Sequence, residues 1–199
     1  ERSRDLFMGT PLATGALRTL ATNIVGPGLQ LSAQVDADTL GLSDDEADAW
    51  HRQTEREFGL WSSGQHCDAA RSNTFGQLQS LALLSALMSG DCFAVLPLIR
   101  RPGSIYDLRV QILEADRVCD PSPLASGKDI CGGVEIGAYG EPVAYYVARY
   151  HPGSTSYTRL RNEWKRVLAF GPRSGRRNIL HLLTHRLRKQ PRSEISPLS

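Results

Sequence analysis

The chain has 199 residues, 41% of them apolar and 22% charged, enough for a sizeable core and too apolar for global disorder. No apolar run approaches the roughly 18 residues of a membrane span, and the start, Glu1–Thr10, lacks the basic-then-apolar pattern of a secretory signal. The net charge of +2 hides an asymmetry: residues 1–158 carry 12 Lys/Arg and 19 Asp/Glu, net −7, whereas residues 159–199 carry 11 Lys/Arg and only Glu163 and Glu194, net +9. A basic end on an acidic body fits an anionic partner near the C-terminus, or arginines that are simply solvated or paired with that body. Cys67, Cys92, Cys119 and Cys131 are widely spaced with no CxxC pair, and read as reduced thiols of a cytosolic protein. Beginning at Glu1 rather than Met, the chain reads as a fragment or a processed product.

Helices are expected first. Residues 3–8 suit a short helix. Thr10 is placed as N-cap and Pro11 at the first helical position, where a missing N–H costs nothing. Leu12, Ala13, Ala16, Leu17, Leu20, Ala21 and Ile24 then recur at helical spacing until Gly26-Pro27-Gly28 stops them. Leu29, Leu31, Ala33 and Val35 alternate and predict a short strand. Ser43 and Glu46 form a capping box that starts a second long helix, with Asp44, Asp45 and Glu46 at the positive end of its dipole. One face of that helix carries Ala47, Trp50, Thr54, Phe58 and Trp61, which predicts packing on a body or on another subunit. A third helix is predicted over Phe75–Ser89 from its broad apolar stripe, ended by Gly90.

From Asp91 the period changes to two. Phe93–Ile99 reads as a buried strand, with Pro97 near its end. Leu108, Val110 and Ile112 alternate with Arg109, Gln111 and Leu113, which predicts a half-buried strand. A Pro/Ser/Gly loop, a hairpin of Gly133–Ile136 with Val143–Tyr150 and two strands at Val167–Phe170 and Ile179–Leu183 follow. Helices first and strands afterwards give an α+β class with a mainly antiparallel sheet, with Phe93, Leu108, Val110 and Ile112 as its expected core.

Local chemistry is thin. His181 and His185 are four apart without an HExxH pattern or a nearby acidic or cysteine ligand, so no metal is assigned. Gly171–Arg177 has the look of a phosphate loop but lacks its GK[ST] ending, and reads as a basic surface turn that could touch a nucleic-acid backbone. Glu114 and Asp116 read as strand-end polar residues with Arg117 available as a partner. No nucleophile elbow or dinucleotide fingerprint occurs, so the chain reads as no enzyme, with no cofactor.

Nine pieces, in order over roughly residues 2–185, carry a resemblance. They are Arg2–Leu6, Thr22–Gly28, the Trp50…Phe58…Trp61 helix, Phe75–Gln79, Ser89–Phe93, Gln111–Val118, Gly133–Glu135, Gly140–Tyr145 and His151–Gly153. Together the chain resembles the lambda family of bacteriophage portal proteins. The resemblance implies a portal wing-like α+β domain, with 1–89 its helical part, 90–185 its β-rich part and 186–199 a basic connector or truncated tail. It implies a structural subunit of a homo-oligomeric ring of about a dozen copies at the capsid vertex, through which DNA is packaged and ejected. The implied partners are capsid, terminase and head–tail connector proteins and the double-stranded DNA in the channel, with no membrane. The implied places are the virion and, during assembly, the host bacterial cytoplasm. The stem helices and clip of that family find no counterpart here, and the chain resembles the N-terminal wing portion. On this reading Trp50, Phe58 and Trp61 are packing or interface residues, and Arg173, Arg176, Arg177, Arg188 and Lys189 are nucleic-acid contacts. Two other classes stay open: a nucleic-acid-binding module using the basic C-terminal segment, and a hydrolase with a cryptic His/carboxylate site.

Overall fold

The computed structural model of the chain describes residues 2–121, 130–154 and 163–183, and they form an α+β arrangement. The helices are α1 (Arg2–Gly9), α2 (Pro11–Ile24), α3 (Ala37–Leu40), α4 (Asp44–Ser62) and α5 (Phe75–Ser89). The strands are β1 (Asp91–Val95), β2 (Gln111–Leu113), β3 (Ile130–Cys131), β4 (Val134–Ile136), β5 (Pro142–Ala148), β6 (Trp164–Leu168) and β7 (Ile179–Leu183). Among the described residues no helix is long and apolar enough to cross a membrane. The chain divides into two compact units: residues 1–84 with 97–111, and residues 85–96 with 112–199.

The first unit is helical, and its local starts follow the sequence closely. Ser43 accepts from the Glu46 N–H while Glu46 accepts from the Ser43 N–H at 2.9 Å, so the expected capping box starts α4. Thr10 takes the N-cap position of α2 with Pro11 behind it, but its side chain makes no cap hydrogen bond. Asp36 caps α3 by accepting from the Thr39 N–H at 3.1 Å, and Gly41 closes that short helix in the left-handed conformation.

Leu29–Val35 is a correction. The segment has no regular secondary structure and pairs with no strand among the described residues. Its N–H groups are taken by side chains instead: Leu29 donates to Gln79 Oε1, Ala33 to Glu55 Oε1 and Val35 to His51 Nε2, all within 2.9 Å. These bonds satisfy the backbone that a sheet ladder would otherwise serve. Just upstream the chain crosses α5 backbone to backbone. A Cβ on Gly76 would sit 2.5 Å from the Pro27 carbonyl, so only glycine fits there.

The second unit holds two sheets, ordered β2-β1-β7 and β3-β4-β5-β6. β1 and β7 run antiparallel with Phe93 opposite His181, and the β4–β5 hairpin and the β5–β6 pair are antiparallel as well. The core is Phe93, Leu113, Val118, Tyr145, Val147, Ala169 and Ile179. Leu113 fills the core while Ile112 is only half-buried, opposite to the expected phase. The strand expected around Leu108–Leu113 is confined to β2, because Leu108 and Val110 make isolated bridges within the first unit, to Leu98 and Asp68.

Candidate functional site

The aromatic face of α4 divides by depth. Trp61 is buried, donates from Nε1 to the Leu108 carbonyl at 2.9 Å, and stacks obliquely on Phe75 with ring centroids 5.0 Å apart. Phe58 is half-buried and lies 5.6 Å from both rings. These two residues pack within the unit. Trp50, three turns back, is 47% exposed and meets only the edge of His51 among the aromatic rings described.

Against the C-terminal part of α4 lies a hairpin built by residues 97–109. Ile99 donates to the Asp107 carbonyl and Arg109 to the Pro97 carbonyl, and Leu98 bridges Leu108. Arg109 was expected on the outer side of a strand. It is instead fully buried, because its guanidinium folds back to donate to the Leu108 carbonyl at 2.9 Å and to Ser104 Oγ at 2.8 Å. Ser104 in turn donates to the Tyr106 carbonyl, and Tyr106 donates to Glu57 on α4. That carboxylate holds the Tyr106 hydroxyl above its ordinary pKa. Arg101 donates to the Asp68 and Ala69 carbonyls, tying the hairpin to the loop after α4.

Asp68 organises that loop. Its buried carboxylate accepts from the N–H groups of Ala70, Ser72 and Asn73 and from Asn73 Nδ2, at 2.9–3.1 Å. Burial pushes its pKa up, but these four hydrogen bonds outweigh burial and hold the carboxyl below its ordinary range. The loop leaves Arg71 exposed beside the hairpin, near enough to Arg101 to depress its pKa, after burial as the larger cause. The basic corner of Arg71, Arg100 and Arg101 was not visible in the sequence, where the first is about 30 residues from the others.

In the second unit Glu114 and Asp116 come together, but not on Arg117. His151 Nε2 lies 3.2 Å from Glu114 and 3.3 Å from Asp116, while its Nδ1 accepts from the Gly153 N–H. Arg117 donates to the carbonyls of Ala148 and Arg149 instead, stitching the turn before Val118 to the end of β5. His181 stacks on Phe93 at 4.2 Å between centroids, with Asp91 3.5 Å from its Nε2. His185, the other member of the spaced histidine pair, lies outside the described residues. No group of three or more His, Cys, Asp or Glu that could hold a metal occurs among the described residues.

Arg173, Arg176 and Arg177 share the turn between β6 and β7 and are all exposed. The turn is closed by its own backbone: Gly171 N–H donates to the Arg176 carbonyl and Gly175 N–H to the Gly171 carbonyl. Those two N–H groups are spent within the turn itself, whatever its arginines reach. Arg177 lies over the Phe170 ring, 4.8 Å from its centroid. Arg188 and Lys189 lie outside the described residues.

Comparison with known proteins bears on what such a chain does. All 199 residues match the family described as phage portal protein, lambda family. The probable portal protein of Halomonas phage phiHAP-1 is 27% identical over 173 residues, which is 85% of this chain and 32% of that protein. Portal protein B of Escherichia phage lambda is 22% identical over 149 residues, 74% of this chain and 28% of that protein. The chain thus spans about a third of the length of these curated relatives. With helices first along the chain, antiparallel sheets after them in sequence and a family match running from the first residue to the last, this chain belongs to the lambda family of phage portal proteins.

Proposed function

We infer that the chain serves as the wing portion of a portal ring at a capsid vertex, the opening through which phage DNA is packaged and ejected. One observation carries this reading: the family match covers the whole chain, helices and sheets alike. Both relatives are named as portal proteins, the phiHAP-1 one as probable, and the matched part is 32% and 28% of their lengths. The work assigned here is mechanical. Subunit packing and anchoring at the vertex fall to the wing, and the channel to further copies and to stem and clip parts. The partners in this reading are copies of the same chain, capsid, terminase and head–tail connector proteins, and the double-stranded DNA that passes. Its places are the virion vertex and, during assembly, the host cytoplasm. No reaction is assigned to it, in keeping with the structural role of the family. Residues 186–199, expected as a basic connector or truncated tail, lie outside the described residues.

Two finer assignments follow. Trp50 is the interface member of the α4 face, because its ring is half in solvent whereas Phe58 and Trp61 are used inside the unit. Arg173, Arg176 and Arg177 form a non-specific anion contact, since arginines on an exposed turn reach phosphates without reading sequence. Duplex-DNA binding that survives unaltered after all three become alanine would remove that assignment.

The test of the reading as a whole is a chimera. Residues of this chain replace the matching third of the phiHAP-1 portal protein, and particles from a portal-deficient phage are scored for DNA. DNA-filled heads are the expected result. Heads that stay empty, with a soluble and folded chimera, would overturn the reading.

A further inference from the structure

The helical unit carries opposite charge at two places that cannot serve each other. Residues 36–51 hold six Asp/Glu and no Lys or Arg. Asp38, Asp44, Asp45 and Asp48 are exposed there, on α3 and the first turns of α4, together with Leu40 at 62% and Trp50 at 47% exposure. The other place is the hairpin corner at the far end of α4. It presents Arg71 and Arg100 in solvent together with Leu98 at 63% and Ile105 at 87% exposure. The hairpin is fastened to α4 through Tyr106–Glu57 and Trp61–Leu108, so the helix itself sets the spacing. From Asp48, the acidic residue of the patch nearest the hairpin along α4, to Glu57 it rises about 14 Å at 1.5 Å per residue. That is well beyond the roughly 8 Å Debye length at physiological salt, so the two places are largely screened from each other within one molecule.

The hairpin is also pre-organised. Arg109, buried beneath it, braces Ser104 and the Leu108 carbonyl, while Arg101 pins it to the Asp68 loop. Its exposed Leu98 and Ile105 are therefore held in place before any partner arrives, which lowers the ordering cost of binding. Two different patches, complementary in charge and each with apolar side chains, are what a head-to-tail contact between identical chains requires. A two-fold contact would need one patch to match itself.

We propose that the occupant of the acidic patch is the Arg71/Arg100/Ile105 hairpin corner of a second copy of this chain. The contact is heterologous: each copy offers its acidic end to one neighbour and its hairpin to the other. This rests on the portal reading, which calls for a ring, and adds to it the surfaces that meet. Leu40 and Trp50 receive the apolar tip, and Asp38 and Asp48 face the arginines.

A charge-swap experiment with the full 199-residue chain tests this. One variant is Arg71→Glu with Arg100→Glu, and the other is Asp38→Lys with Asp48→Lys. These four side chains are exposed, and circular dichroism checks that each variant folds. The wild type is expected to self-associate in light scattering at up to about millimolar concentration, and to weaken in roughly 1 M salt, where the Debye length falls to ~3 Å. Each variant alone should lose association about tenfold or more, as facing like charges repel. An equimolar mixture of the two should regain it, because every contact is then of opposite charge again. Ile105→Asp should weaken association without changing the circular dichroism spectrum.

A wild type that stays monomeric throughout, variants that associate like the wild type, or a mixture that fails to regain association would each overturn the proposal. None of these outcomes touches the portal reading, which is judged separately by DNA-filled heads of the chimera.

Discussion

In the sheet unit Phe93, Tyr145, Val147 and Ile179 close on one another from β1, β5 and β7, and large side chains fill one continuous core. In the helical unit many buried positions are small, Ala21, Val25, Ala33 and Ala47 among them, with Trp61, Leu78 and Arg109 as large exceptions. Long-range tethers supplement them there: Gln79, Glu55 and His51 on the Leu29–Val35 segment, Arg101 on the Asp68 loop, and Trp61 on the hairpin. Of the seventeen large apolar side chains left exposed among the described residues, thirteen belong to the helical unit. The contrast teaches where association is expected. A unit that fills its core has little reason to bind, whereas a unit that shows scattered leucines around a polar scaffold has surface to cover.

Truncation at the centre of the sheet core should break this comparison most sharply. Tyr145→Ala removes a side chain that is only 1% exposed and should cost about 3–5 kcal/mol in denaturant unfolding. A loss below about 1 kcal/mol would mean that the core tolerates a cavity at its centre, against ordinary packing behaviour. Trp61→Ala should cost about 3 kcal/mol through lost burial and the lost bond to the Leu108 carbonyl. If that variant keeps both its stability and its association, the aromatic face of α4 is idle.

Asp68→Asn should cost about 2 kcal/mol at neutral pH, because a charged acceptor of four hydrogen bonds becomes neutral and one oxygen becomes a donor. The sign of its pH dependence follows from the depressed pKa. The carboxylate stabilises the fold above the unfolded value of about 3.9, and that contribution fades as pH falls through the lower folded value. The wild type should therefore lose stability on acidification more steeply than Asp68→Asn, and parallel acid profiles would contradict the loop's assigned role. The smallest effect should come from Trp50→Ala: within about 0.5 kcal/mol of wild-type stability, but with weakened self-association. A large stability loss would place Trp50 beside Trp61 as a packing residue.

What could be read from the sequence was what is local in it. The α4 capping box, the α5 stripe, the β4–β5 hairpin and the Arg173–Arg177 turn all depend on neighbours a few residues apart. The misread places depend on distant partners. Leu29–Val35 alternates like a strand, but its backbone is satisfied by side chains 16 to 50 residues away. Arg109 has the charge of a solvent-facing residue, and only the hairpin supplies the acceptors that let it be buried. Glu114 and Asp116 meet His151, more than 30 residues on, rather than the adjacent Arg117. The basic corner exists only because the loop of Arg71 and the hairpin of Arg100 and Arg101 fold side by side.

The cysteines give each unit its own reporter. Cys67 is fully buried in the helical unit and Cys92 fully buried in the sheet unit, and burial pushes both thiols above their ordinary pKa. Cys131 is exposed and can be blocked first, and Cys119 is intermediate in exposure, its sulfur accepting the Trp164 indole N–H. A thiol-reactive probe applied in native buffer then labels Cys67 or Cys92 only when the surrounding structure opens, so two labelling rates measure two opening equilibria in one molecule. Coming together of subunits should slow the labelling of Cys67 more than that of Cys92, turning a pair of inert thiols into a clock for which half of the chain the assembly holds shut.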